Sequence, residues 1–320
     1  MKIGASYSTV CEEELLSKLA PLYQIENPKT CQFWQRGVND TYQVHTSDEI
    51  YSLRVYRHNL RSKDEIDYEV SALNYLNTQG AKVAFPIQKH DGSYVSEIQA
   101  PEGSRFVIMT THAKGSEPNY DNAENGRLFG KSVAELHNLS EGFETKHTRP
   151  KLENEYLLDK SLEVIVPFCT KMPAEKKVLT DATANLNRTL ASVPLKKLDT
   201  GFCHGDCHGY NAHYNDETLT HFDFDCCGFG LRVFELATFK WGILGDSNEK
   251  ELWSMFLKGY SSTREIADED MALINTYVVI RQIWWMALIM GNAKDFGYSA
   301  TSQDFIKHHV SKIEKMLASV

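Results

Sequence analysis

An α+β fold in two lobes, an N-terminal antiparallel β-sheet lobe followed by a mainly helical one, is what this sequence predicts, on three observations. The chain has 320 residues, more than one typical domain and enough for two packed cores. From Gln32 it runs through short β-rich segments punctuated by turn residues around one helical stretch. Beyond Gly115-Ser116-Glu117-Pro118 the apolar spacing becomes almost entirely helical. The change of character at residues 111–120 places the lobes at 1–111 and 112–320.

Each element has its own signal. Thr9 to Tyr23 carries Leu15, Leu16, Leu19 and Leu22 at helical spacing, with Glu12, Glu13 and Glu14 in the first turn, where the helix dipole favours acids. Three strands are predicted around Phe33 to Val38, Thr41 to His45 and Ile50 to Tyr56, broken by Gly37-Val38-Asn39-Asp40 and Ser47-Asp48-Glu49. Lys63 to Thr78 presents Ile66, Val70, Leu73 and Leu76 on one face and stops before Gly80, so it predicts a helix with a glycine C-terminal stop. Tyr94 to Ile98 and Phe106 to Thr110 complete a five-stranded antiparallel sheet, with turns at Asp91-Gly92 and Pro101-Glu102-Gly103. From there to Pro194, and again from Arg232 to Val320, helix is predicted almost throughout. A small hairpin is expected between them, with His213-Tyr214 and Leu219 to Phe222 around Asn215-Asp216.

Composition narrows the function. A hydrophobic fraction of 42% with 24% charged residues is ordinary for a globular chain. The net charge of −9, without a clustered Lys/Arg surface, speaks against a nucleic-acid partner and mildly favours cationic substrates. The N-terminal residues hold no signal-like apolar run, and Tyr277 to Met290, interrupted by Arg281 and Gln282, is read as too short for a bilayer. Seven cysteines, an odd number, read as reduced thiols. A cytoplasmic protein with no membrane partner is expected; nothing in the sequence sets its oligomeric state.

The chemistry concentrates at His204-Gly205-Asp206-Cys207-His208-Gly209-Tyr210-Asn211 and at Asp223-Phe224-Asp225. Phosphoryl transfer needs one carboxylate beside the attacking hydroxyl, and a second carboxylate plus an amide oxygen to hold Mg²⁺. Asp206, Asp223 and Asn211 fit those tasks, and the interval from Asp206 to Asn211 equals that of the kinase catalytic loop H-R-D-x-x-x-x-N, with Gly205 in place of its arginine.

With these motifs in view, the chain resembles the aminoglycoside phosphotransferase and choline kinase family, protein-kinase-like enzymes that phosphorylate small-molecule hydroxyls. The resemblance spans roughly Gln35 to Gly245 and is most specific over 203–237. It implies a two-lobed protein-kinase-like fold, ATP and Mg²⁺ as cofactors, and a small-molecule hydroxyl acceptor. It implies Asp206 as catalytic base, Asn211 and Asp223 as metal ligands, and His204 and Glu235 as structural supports, Glu235 standing where relatives have Asp. In the first lobe, Gly37 and Asn39 fall in the nucleotide loop, which lacks G-x-G-x-x-G. Arg54 falls at the position of the ATP-binding lysine with Glu69 as its partner, and Met109 and Thr111 fall in the adenine-binding segment. Asp225, Arg281, Trp284 and Trp285 are candidates for the acceptor site, the tryptophans because indole faces attract ammonium groups. Arg281, if buried, must face a carboxylate or the substrate.

Competing motifs fare less well. Gly126-Arg127-Leu128-Phe129-Gly130-Lys131-Ser132 is one residue short of a Walker A loop, does not follow a strand, and continues as helix through Val133, Leu136 and His137. Cys203-His204 with Cys207-His208 lacks the spacing of a zinc ribbon or finger. Two alternatives stay open: a bacterial stress-type Ser/Thr protein kinase, disfavoured by the short stretch from Asp225 to Arg232, and a catalytically silent nucleotide-binding module. Homoserine, choline, ethanolamine, an amino sugar or an aminoglycoside are all admissible acceptors.

Overall fold

The computed structural model describes residues 3–194, 197–215, 218–318 and 320. The chain divides into two compact units. The first holds Met1–Ser116, Gly142–Arg149 and Ala212–Asp225; the second holds Glu117–Glu141, Pro150–Asn211 and Cys226–Val320. A single boundary near residue 111 therefore misses two later segments that pack with the first unit.

The first unit is built on an antiparallel sheet of β1 (Thr30–Arg36), β2 (Asp40–His45), β3 (Ile50–Val55), β4 (Ser96–Ala100) and β5 (Gly103–Thr111), in the order β1-β2-β3-β5-β4. On the central strand β3, Leu53 and Val55 are fully buried in a core with Tyr42, Val44, Val107 and Met109, and alternation turns Arg54 to the other face. The Lys63–Thr78 helix starts with a capping box, in which Ser62 accepts from the Glu65 amide and the Glu65 carboxylate accepts from the Ser62 amide. Its buried stripe of Ile66, Val70, Leu73 and Leu76 includes one acid, Glu69, at 1% exposure. Ahead of the sheet, residues 12–22 form helical turns of α, π and 3₁₀ type instead of the one regular helix expected, with Pro21 in the final turn. The hairpin Ala212–Asn215 with Thr218–His221 forms in this unit; the Asp216 half of its expected turn lies outside the described residues.

The second unit is helical around a stacked aromatic core of Phe129, Phe239 and Phe256. Its Ala123–Leu139 helix contains the segment that mimics a Walker loop, and packing accounts for those glycines. A Cβ on Gly130 would sit 2.1 Å from the Phe256 carbonyl oxygen on the Glu249–Ser261 helix, and one on Gly259 of that helix 1.9 Å from the Arg127 oxygen. Two segments expected as helix differ. Residues 140–154 are irregular apart from the bridge of Leu152 to Gly230, with Gly142 at φ 76 and Pro150 in the stretch. The apolar run at 277–290 belongs to a longer helix, Asp268–Gly291, which by length and composition alone could cross a bilayer; 78% of its most apolar window is buried within the protein.

Candidate active site

In the second unit, a four-residue strand, Thr200–Cys203, delivers the chain into the loop His204–Asn211. The loop turns at Gly205, where φ is +83 and a Cβ would lie 2.0 Å from the Cys226 carbonyl oxygen, so no side chain is tolerated at this point. Glu235, fully buried on the Val233–Gly242 helix, accepts from the His204 amide at 2.7 Å and the Gly205 amide at 2.9 Å. Burial pushes this carboxyl up, opposed by the nearby His204 and by these two amides. Glutamate thus braces the loop from beneath through both oxygens. His204, also fully buried, accepts the Asp206 amide on Nδ1 at 3.2 Å.

Three donors converge on the Asp206 carboxylate. Asn211 Nδ2 donates to Oδ2 at 3.2 Å and to the Asp206 carbonyl at 2.9 Å. His208 Nε2 lies 3.3 Å from Oδ1, and Arg281 Nη2 donates to the same oxygen. Burial raises the Asp206 pKa, but the Arg281 guanidinium, with His208 and His204, outweighs it and holds the carboxyl well below the usual range. Arg281 thus faces a carboxylate, 2% exposed and seated 5.0 Å from the Trp241 ring centroid and 4.6 Å from that of Trp284. Trp284 packs edge-on to Phe234, whereas Trp285 is half-buried among Trp241, Phe305 and His309.

In the first unit, Arg54 joins two carboxylates. Its Nη1 lies 2.6 Å from Glu69 and its Nη2 2.9 Å from Asp223. Burial alone would pull the guanidinium down; Asp223 and Glu69 prevail and hold it well above its ordinary value. Tyr56 donates to the other Glu69 oxygen at 2.8 Å, so the single acid in the apolar stripe of its helix is satisfied on both oxygens. Asp223 has a left-handed backbone, φ +62, and its side chain is 47% exposed. Asp225 is placed differently from an acceptor-binding group. It is 3% exposed, with Arg61 Nε 3.0 Å from Oδ1, Arg61 Nη2 2.9 Å from its carbonyl oxygen, and Arg149 on that same carbonyl. Burial raises its pKa, and Arg61 and Arg149 lower it by more. Its contacts make it a tie between chain segments of the first unit.

Gly37 and Asn39 do join β1 to β2, and Asn39 Oδ1 accepts from the Arg57 amide at 3.0 Å. At Met109 and Thr111, expected in the adenine segment, the backbone is paired with a neighbouring stretch of the first unit. The Met109 carbonyl accepts from Ile87 at 2.8 Å and the Thr111 amide donates to Phe85 at 2.9 Å, because β5 runs to Thr111 and pairs there with the 85–87 segment.

A cavity of about 340 Å³, announced by no sequence signal, lies in the second unit beside the His204–Asn211 loop. Glu117, Asp121 and Asp246 line it together with Tyr120, Tyr210 and His208, and among the described residues neither Lys nor Arg does. Among the described residues the buried Tyr120 hydroxyl has no hydrogen-bond partner. The acids come from stretches that read only as turns, since a loop carboxylate carries no periodic signal.

Comparison with known proteins accords with this arrangement. The sequence model of a family described as the phosphotransferase enzyme family matches residues 30–271. The chain is 31% identical to an uncharacterized protein of Synechocystis sp. over 312 residues, 97% of this chain and 86% of that one. The structure of amicoumacin kinase in complex with AMP-PNP, Ca²⁺ and Ami superposes with a TM-score of 0.79 at 23% identity, over 95% of this chain and 93% of that one. A microcompartment-associated aminopropanol kinase superposes with a TM-score of 0.75 at 22% identity, over 93% and 95%. The fold they share is the two-lobed protein-kinase-like α+β fold.

Proposed function

Because the chain belongs to the phosphotransferase enzyme family and is thereby an ATP-dependent kinase of small-molecule alcohols, we propose that its acceptor carries an amine near the reacting hydroxyl and that Mg²⁺ accompanies the nucleotide. The observation that carries this reading is the acidic cavity lined by His208, whose ring also contacts Asp206. An ammonium group is drawn to Glu117, Asp121 and Asp246 by charge and to the Tyr120 and Tyr210 faces by cation–π attraction. The aminopropanol kinase named above is a relative whose substrate has this character.

In this reading the acceptor hydroxyl donates to Asp206. Its oxygen forms a bond to the γ-phosphorus, the bond from that phosphorus to the bridging oxygen of ADP breaks, and the hydroxyl proton passes to Asp206 and on to solvent. A carboxylate held this far below its usual pKa is a weak base, so Asp206 works chiefly by aligning the hydroxyl and takes its proton late. Arg54, with its planar fork, grips phosphate oxygens where a lysine would offer one point charge.

The donor chemistry fits a hard cation. The Asn211 amide nitrogen is occupied by Asp206, which leaves the side-chain oxygen as its ligand atom, and Asp223 adds a half-exposed carboxylate. Asn211 and Asp223 would hold Mg²⁺, which when bound neutralises charge on the phosphates.

A coupled ADP-release assay with ATP and Mg²⁺ tests this across amino alcohols, amino sugars and matched neutral polyols, with Asp206→Asn as the blank. Turnover confined to amine-bearing acceptors, and raised acceptor KM in Asp246→Asn, is expected. Equal turnover of neutral polyols would overturn the amine assignment.

A further inference from the structure

Gly37, Val38 and Asn39 occupy the place of a phosphate-binding loop, but glycine freedom does not shape it. Gly37 is not in the left-handed region, and a Cβ there would meet only the Asn39 carbonyl oxygen, at 3.8 Å. What holds the loop is Arg57, two residues beyond the end of β3 and 3% exposed. Its Nε donates to the Val38 carbonyl at 2.8 Å and its Nη2 to the Gly37 carbonyl at 3.2 Å, while its own amide donates to Asn39 Oδ1. The guanidinium lies over the Tyr7 ring at 4.6 Å, which backs it from the N-terminal side.

This clamp has a geometric consequence. In a trans peptide the carbonyl and the following N–H point in opposite directions. With the Gly37 and Val38 carbonyls both turned to Arg57, the Val38 and Asn39 amides are turned away from it. Among the described residues neither amide donates to a protein acceptor. Two successive amides presented on one side are suited to an anion, and phosphate is the anion a nucleotide brings.

We propose that Arg57 is a positioning residue that presets the 37–39 loop, so that the Val38 and Asn39 amides receive nucleotide phosphate oxygens. A side-chain clamp here replaces the glycine-rich sequence that other phosphate loops use. The proposal rests on the nucleotide-dependent function above and deepens it.

The test compares wild type with Arg57→Met and Arg57→Lys. Calorimetric binding of a non-hydrolysable ATP analogue with Mg²⁺ is measured beside kcat, both KM values and the melting temperature. Loss of two charge-assisted hydrogen bonds to the loop should weaken analogue binding and raise the ATP KM by about tenfold, with acceptor KM unchanged. Lysine, reaching one carbonyl at a time, should recover part of the loss. A folded Arg57→Met protein with wild-type nucleotide affinity overturns the proposal, as does a uniform fall in kcat without the selective rise in ATP KM. Should Arg57→Met fail to fold, Asn39→Ala removes the acceptor of the Arg57 amide and must still weaken analogue binding; unchanged binding there overturns it equally. Wild type that binds no ATP analogue would remove the kinase function and this proposal together, whereas wild-type binding with unaffected variants removes the loop proposal alone.

Discussion

Replacing Arg281 by methionine separates catalytic alignment from stability at one buried position. The side chain fills a slot between Trp241 and Trp284 and places Nη2 on Asp206 Oδ1. Methionine has similar reach and fills the slot without the charge. The carboxylate then keeps His208 at 3.3 Å and Asn211 at 3.2 Å, the longer of its three contacts. A hydrogen bond between charged groups contributes about 1.5–3 kcal/mol. Where that energy holds Asp206 in the pose that meets the hydroxyl, its loss lowers kcat by about 10- to 100-fold. The ATP KM should hardly move.

Stability should respond differently. Among the described residues Arg281 Nε and Nη1 are buried without an acceptor, a standing penalty of about 1–3 kcal/mol per unmet donor that methionine removes. The Asp206 side chain keeps 23% exposure, so water takes over part of the lost pairing. These effects oppose each other, and the net change should stay within about 1 kcal/mol, or a few degrees in Tm. Steady-state kinetics and a thermal melt on the same preparation check both halves. A kcat within about threefold of wild type would refute the alignment role, since a tenfold loss is the smallest that one such bond implies. A large fall in Tm that tracks the loss of activity would show that Arg281 is a packing residue instead.

Glu235→Gln should lower kcat and reduce stability by about 1–3 kcal/mol, because an amide NH₂ now faces one of the two backbone amides that the carboxylate accepts; denaturant titration reads the loss. Arg54→Lys should raise the ATP KM, since one ammonium cannot keep both the Glu69 contact at 2.6 Å and the Asp223 contact at 2.9 Å. Gly130→Ala should destabilise the fold by about 1–3 kcal/mol through the clash with Phe256 while leaving the ATP KM of the folded protein unchanged, as fits a packing glycine and not a phosphate loop. Asp270 is raised to about 6 by burial, so the folded state holds its proton more tightly than the unfolded state, and the stability this gives is complete below the unfolded pKa near 4 and lost as pH rises through 6. Asp270→Asn should therefore raise Tm at pH 7.5 and have little effect at pH 3.5.

What the sequence disclosed and what it withheld follow from how each interaction is encoded. The Lys63–Thr78 helix was legible because its apolar face of Ile66, Val70, Leu73 and Leu76 and its stop at Gly80 are local signals, whereas the Ser62–Glu65 capping box emerges with the structure. Asp206 and Asn211 were legible because one short loop fixes their separation, and the structure brings them into contact. The partner of Arg281 was not, since a helix at 268–291 meets a loop at 204–211 only through tertiary packing; sequence alone required that a buried guanidinium find an anion, without naming it. The Arg57 clamp was hidden for a related reason: its acceptors are main-chain carbonyls, which every residue possesses and no side-chain pattern reports. The same limit applies at 109–111, where free and occupied backbone groups look alike until the 85–87 segment is seen beside them. Motif reading therefore picks out carboxylates at a fixed spacing and passes over backbone groups, and under the proposed function acceptor specificity lies in the acids at 117, 121 and 246, whose meaning comes from sharing one cavity.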